Sequence, residues 1–144
     1  MELPCFGYGT FPQKEILEQN VPLAIKYGYQ LIDTSDNYYN ESYIGAGLRQ
    51  TLANQEKLVI ISKFSQPYRT GELEQCFQES KKALNSQLSI YLLHWPYPFL
   101  WKIQWKKMEE LYFAGECQAI GVCNFNRKKL KKLLTICRVK PMIN

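Results

Sequence analysis

Histidine occurs once in these 144 residues, at His94. A tetrahedral zinc site takes several histidine or cysteine ligands at close spacing, and the five cysteines, Cys5, Cys76, Cys117, Cys123 and Cys137, form no CxxC pair. Their number is odd, so no metal site is expected and the thiols should be free. No apolar stretch approaches the roughly 20 residues that span a bilayer, and MELPCFGYGT lacks the basic-then-apolar layout of a signal peptide. A cytoplasmic chain with no membrane partner is expected. Low-complexity stretches and composition shifts are absent too, so residues 1–144 read as a single domain. Asn40-Glu41-Ser42 fits the N-glycosylation pattern, which carries no weight without a secretion signal.

What is present is a core-forming composition, 46% hydrophobic, with a net charge of +5. Much of that charge sits in NRKKLKKLL. Leu130, Leu133 and Leu134 mark the buried side of a helix there, leaving Arg127, Lys128, Lys131 and Lys132 in water. A solvated helix face, rather than a nucleic-acid surface, is the preferred reading.

Four polar residues each follow a short apolar run: Asp33 after YQLI, Lys63 after LVIIS, His94 after SIYLL and Asn124 after AIGVC. They are separated by 30, 31 and 30 residues. A short strand, a helix of ten to fifteen residues and two loops make a βα unit of roughly that length. The four residues therefore mark successive strand ends, which a parallel sheet gathers on one face.

The spacing predicts strands over Cys5–Gly9, Tyr29–Ile32, Leu58–Ser62, Ser89–Leu93 and Ala119–Cys123. Met142 and Ile143 open a sixth. A turn at Phe11-Pro12 leads to a helical segment that ends at Tyr27 with Gly28 as its C-cap. Within it Asn20 can cap a new helix whose first turn holds Pro22, breaking the segment in two. The later helices carry Ile44, Leu48 and Leu52; Leu73, Cys76, Phe77, Ala83 and Leu84; and Trp101, Trp105, Met108, Leu111 and Tyr112, the last set read as packing. Asn126 caps the helix after the fifth strand.

Strict βα alternation specifies a parallel α/β sheet, either open and doubly wound or closed into a barrel. Gly7-Tyr8-Gly9-Thr10-Phe11-Pro12 lacks the third glycine of a dinucleotide-binding Rossmann turn. Functional-looking residues also end four or five consecutive strands, and only in a barrel does every strand end face the site. A TIM-type (β/α) barrel of about five and a half of its eight units is expected.

Tyr38 lies five residues after Asp33. A phenol, ordinarily near pKa ~10, donates protons poorly at neutral pH unless something favours its ionised form. An ammonium beside it does so; Lys63 is placed to supply one, and Asp33 to hold the lysine. His94 is placed to hydrogen-bond a substrate oxygen. Together they describe proton donation to a carbonyl, and a hydride from a nicotinamide cofactor is the natural complement.

These residues resemble the aldo-keto reductase family of NADPH-dependent (β/α)₈ carbonyl reductases. Gly7-Tyr8-Gly9-Thr10 is similar to its first-strand GxGT motif. LIDTSDNYYNE resembles the segment holding its catalytic Asp and Tyr, VIISKF that of its Lys, YLLHWP that of its His, and GVCNFN its fifth-strand GVSNF, with Cys123 in place of Ser. The resemblance implies reduction of aldehydes or ketones, with Tyr38 as general acid, Lys63 lowering the phenol's pKa, Asp33 as its partner and His94 orienting the substrate beside Trp95. It also implies that NADPH contacts Gly9, Thr10, Phe11, Asp33, Cys123 and Asn124.

The same resemblance places further cofactor contacts after Asn144. Unpaired strand edges predict self-association of the chain. Two other functions stay open at this stage: a catalytically inactive remnant of such a reductase, and a basic module binding nucleic acid through Arg127–Lys132.

Overall fold

The computed structural model describes residues 2–51 and 57–144. Five strands, β1 (Tyr8–Gly9), β2 (Leu31–Asp33), β3 (Val59–Phe64), β4 (Ile90–Leu93) and β5 (Ala119–Val122), form one sheet in the order of the chain. Every neighbouring pair is parallel. Helices α1 (Leu17–Lys26), α2 (Glu41–Arg49), α3 (Leu73–Leu84), α4 (Trp101–Phe113) and α5 (Arg127–Leu134) follow the strands one by one. The order never reverses, so there is no switch point of the doubly wound kind. The architecture is an incomplete TIM-type barrel.

Side chains alternate across a strand with period two. Ile32, Ile60, Phe64, Tyr91, Leu93, Ile120 and Val122 join the large core between sheet and helices. Residues of the opposite parity, Val59, Ile61, Ile90, Leu92 and Ala119, form a second cluster with Leu31, Cys123 and Ile143 on the inner face. That inner parity, continued to the strand ends, reaches Asp33, Lys63, His94 and Cys123. The alternation that packs the barrel interior thus also aims the site.

Several expected boundaries move. β1 is only Tyr8–Gly9, because β2 offers it two partners, Ile32 and Asp33, and β1 pairs on one side only. Tyr29 belongs to the end of α1 rather than to β2. Its N–H reaches Ala24 O at 3.0 Å while Gly28, at φ +91°, donates to Ile25 O at 3.0 Å, and this pair of bonds closes the helix as expected of a C-cap glycine.

The predicted break in α1 does not occur. Pro22 lies inside one continuous helix, and the Asn20 amide donates to Gln13 Oε1 at 3.1 Å instead of capping. Leu17, Val21 and Ala24 are buried, and that docking offsets the hydrogen bond a proline cannot donate.

Ile44 and Leu48 form the expected stripe on α2, whereas Leu52 lies outside the described residues. On α3 and α4 the expected inward residues are buried, except Ala83 and Tyr112, which are half-buried. On α5, Leu133 is buried but Leu134 is 45% exposed, so the helix rests on a narrower stripe than its three leucines suggested. Arg127, Lys128, Lys131 and Lys132 face water. Asn126 caps α5 by accepting from Lys129 N at 2.9 Å.

Met142 and Ile143 do not form the expected sixth strand but run beside β5, with Met142 N donating to Ile120 O and Val122 N to Ile143 O, both at 3.0 Å. Glu109, buried in α4, anchors their approach. Its Oε1 accepts from Trp105 Nε1 at 3.1 Å and from the backbone N–H of Arg138 and Val139 at 2.6 and 2.9 Å. Three donors satisfy a carboxylate that would otherwise be costly to bury.

Helices α2 and α3 meet at Gly45. A methyl group there would collide with the backbone of Ala83 and Leu84. Gly45→Ala is expected to destabilise the chain by about 1–3 kcal/mol in denaturant unfolding. Gly71→Ala, where a Cβ meets nothing within 4 Å, should stay within about 0.5 kcal/mol of wild type. Equal stabilities for the two variants would contradict this packing.

Candidate active site

The strand-end residues converge. Lys63 has only 8% of its side chain exposed, and its Nζ contacts both carboxylate oxygens of Asp33, at 2.8 and 2.9 Å. Nζ also donates to Thr34 O at 2.7 Å and lies 3.5 Å from Tyr38 Oη, at the outer limit of a hydrogen bond. The ammonium sits 5.0 Å from the centre of the Tyr38 ring. Asp33 and Lys63 come from adjacent strands, and Tyr38 arrives on a short 3₁₀ turn, Asp36–Tyr38.

His94 faces the same centre. Its ring lies edge-on to Tyr38 at 5.8 Å between centroids and stacks on Trp95 at 5.4 Å, while Phe11 meets the other side of Tyr38 at 5.0 Å. Trp95 remains 43% exposed. Burial pulls the imidazole's pKa below its ordinary value, with the Lys63 charge adding to the effect and Asp36 and Asp33 opposing it. Burial likewise raises the Cys123 thiol above its ordinary range. Cys123 is therefore a protonated, half-buried wall residue.

Asn124, just past β5, has a left-handed backbone at φ +61° and donates from Nδ2 to His94 O at 2.8 Å. Among the described residues its amide oxygen carries no hydrogen bond. Gly9 pairs in register with Asp33, and a Cβ there would meet nothing within 4 Å, leaving bare backbone beside the carboxylate. Thr10, expected to contact the cofactor, offers backbone rather than side chain. It is fully buried, and its hydroxyl is committed to Asp33 O at 2.9 Å. Of the ten expected residues, the nine other than Thr10 thus line or border one centre.

Sequence reasoning missed the residues that hold this centre in place. Asn40, fully buried, accepts from Thr34 Oγ1 at 2.7 Å and donates to Thr10 O and Gln13 O at 3.2 and 3.0 Å, joining the loops after β1 and β2. Asp36 Oδ2 accepts from Ser65 N and Gln66 Nε2, joining the loops after β2 and β3. Ser35 and Ser65 flank the imidazole, with Oγ atoms 3.0 and 2.6 Å from Nδ1. Two residues past Asp33 and two past Lys63, they share the inner parity of the site, and that was the available signal.

A lowered histidine pKa means that the fold prefers the neutral ring. Unfolded chain then takes up the proton first as pH falls, so the contribution to stability holds above about pH 6.5 and is lost below it. The one histidine should titrate below 6.5 by NMR. A value at or above 6.5 would contradict the burial described.

The sequence model of the Aldo/keto reductase family matches residues 5–144. Glyoxal reductase of Bacillus subtilis (strain 168) is 38% identical over 150 residues, covering all of this chain and 54% of that protein. An aldo-keto reductase from a Medee basin deep-sea metagenome library superposes at a TM-score of 0.94 with 30% identity, over 100% of this chain and 54% of that one. The Bombyx mori aldo-keto reductase solved in complex with NADP gives 0.90 with 27% identity, over 99% and 53%. This chain spans about half the length of the relatives it matches. With the family model matching residues 5–144, nearly the whole of this chain, the chain belongs to the aldo/keto reductase family.

Proposed function

We propose that this chain carries the catalytic centre of an NADPH-dependent reductase that converts aldehydes or ketones to alcohols. The observation that carries the reading is the Lys63 ammonium, held by Asp33 and Thr34 O, 3.5 Å from the Tyr38 hydroxyl. A substrate carbonyl between Tyr38 and His94 gathers negative charge on its oxygen as the carbon is reduced. Tyr38 gives that oxygen its proton, completing the alcohol, and is left as phenolate. Lys63 stabilises the negative charge as it forms on the phenolic oxygen, and Asp33 keeps the ammonium in place. His94 orients the carbonyl by hydrogen bonding, with Trp95 as an exposed aromatic wall.

The residues suit a nicotinamide cofactor at this end. The open amide oxygen of Asn124 is an acceptor for a carboxamide N–H, Cys123 lies next to it on the inner face, and the bare backbone at Gly9 admits close approach. Phe11 offers an exposed ring, Asp33 borders the space, and Thr10 contributes through backbone only. When bound, the cofactor supplies the hydride.

A second reading rests on the edge of the sheet. β1 pairs only with β2, which leaves one side of it without a strand among the described residues. We infer that this edge drives the chain to self-associate, and that cofactor binding depends on further βα units beside it. On that reading the isolated chain is an inactive piece of a reductase.

Consumption of NADPH with a panel of aldehydes is the direct test. Tyr38→Phe should lower turnover by about 10²–10⁴-fold with cofactor affinity unchanged, the usual scale of a lost general acid. Turnover that survives Tyr38→Phe would overturn the assignment of the acid. A folded chain that binds no NADPH in a fluorescence titration would favour the second reading.

A further inference from the structure

The Nδ1 edge of His94 is as closely built as the site itself. Its Nδ1 is met by Ser35 Oγ at 3.0 Å and Ser65 Oγ at 2.6 Å, and the two serine oxygens are 3.0 Å apart. Ser35 is fully buried, Ser65 and His94 nearly so. Ser65 is clamped through its backbone, its N–H donating to Asp36 Oδ2 at 3.0 Å and its carbonyl accepting from Tyr97 Oη at 3.0 Å. Its hydroxyl is therefore delivered to the ring by two fixed bonds on neighbouring atoms.

A neutral imidazole carries one proton, and the group bonded to one nitrogen decides which nitrogen holds it. Two arrangements satisfy the contact at Nδ1: the ring donates to a serine, or a serine donates to the ring. Bonds donated by N–H to oxygen fall at about 2.7–3.2 Å, and bonds donated by a hydroxyl run shorter as a class. The 2.6 Å separation between Ser65 and Nδ1 lies below the N–H range, which argues against the ring as the donor. Ser35 has other acceptors for its proton, Asn37 Oδ1 at 2.9 Å and Asp36 Oδ1 and Lys63 O at 3.3 Å. Ser65 Oγ, among the described residues, has only Nδ1 and Ser35.

We propose that Ser65 is a positioning residue that donates its hydroxyl proton to His94 Nδ1, so that the ring keeps its own proton on Nε2 and presents a donor to the substrate oxygen. The inference rests on the reading of His94 as the group that orients the carbonyl, and it adds the cause. Without Ser65, Nδ1 is met among the described residues by Ser35 alone, whose proton has other acceptors, and a ring protonated on Nδ1 would turn a lone pair toward an oxygen that also carries lone pairs. Ser35 completes the enclosure and receives no proton from the ring in this arrangement.

The chain has one histidine, so ¹⁵N-histidine labelling gives a spectrum with one ring and two nitrogens. Long-range ¹H–¹⁵N correlation above pH 7, on the whole 144-residue chain, reads which nitrogen is protonated whether or not the chain turns over. Wild type should show the Nε2–H form. Ser65→Ala, and Ser65→Cys as a shape-preserving weaker donor, should each lower the ratio of that form to the other by about fivefold, the size of one net hydrogen bond. Ser65→Thr should restore it, and Ser35→Ala should leave it in place.

An Nδ1–H ring or an even mixture in wild type would overturn the proposal. So would an unchanged ratio in whichever of Ser65→Ala and Ser65→Cys is folded by circular dichroism. An Nε2–H ring in a chain that binds NADPH yet reduces no carbonyl would count against the reductase reading alone. An active wild type with an Nδ1–H ring would sink this inference alone.

Discussion

A lysine ammonium in the interior has three protons to place, and the upper end of this barrel is arranged around that requirement. Asp33 gives both carboxylate oxygens and Thr34 a carbonyl, so two consecutive residues at the end of β2 are committed to one side chain from β3. Removing either partner would leave a buried charge short of acceptors, a far larger penalty than a surface ion pair could incur. The pair thereby sets how the loop after β2 leaves the sheet. That exit in turn decides where the 3₁₀ turn delivers Tyr38.

The loops are then joined laterally. Asn40 connects the first to the second and Asp36 the second to the third, while the Asn124 amide reaches back from the fifth strand to His94 O. Each join uses a side chain of one loop and backbone of its neighbour, so the joins resist shear between strands. Loops on a protein surface are ordinarily its most mobile parts. Here the ones that carry the site are tied by a strand at one end and a helix at the other, and across their middles by polar side chains, which suits chemistry that tolerates little misplacement.

Much of this was legible in the sequence. The recurrence at Asp33, Lys63, His94 and Asn124 located the strand ends, while the face each one takes was settled by the alternation along the folded strands. Boundaries were less legible, because they depend on partners. β1 is short since β2 offers it little to pair with, and Tyr29 closes a helix because Gly28 adopts a left-handed backbone. Pro22 misled for a related reason, as local propensity argued for a break that burial of Leu17, Val21 and Ala24 overrides. Leu134 was assigned inward by helical periodicity, but the core reaches only as far as Leu133. Ser35 and Ser65 carried one signal, their place two residues past Asp33 and Lys63, but polar residues in loops are common, and for them as for Asn40 the three-dimensional neighbour is what distinguishes a brace from a solvated side chain.

The sheet's order follows the order of the chain, each strand lying beside the one before it. Every pairing therefore closes a loop of nearly the same length, about one βα unit, and no strand must wait for a distant segment. Such a sheet can grow by addition at its edge. The site would then form in a fixed sequence: the Asp33–Lys63 pair once the third strand docks, the imidazole with the fourth, and Cys123 and Asn124 with the fifth. In a chain emerging from its N-terminus during synthesis, the buried charge is neutralised before the rest of the pocket exists. The costliest group in the interior is thus never left to search for its partner.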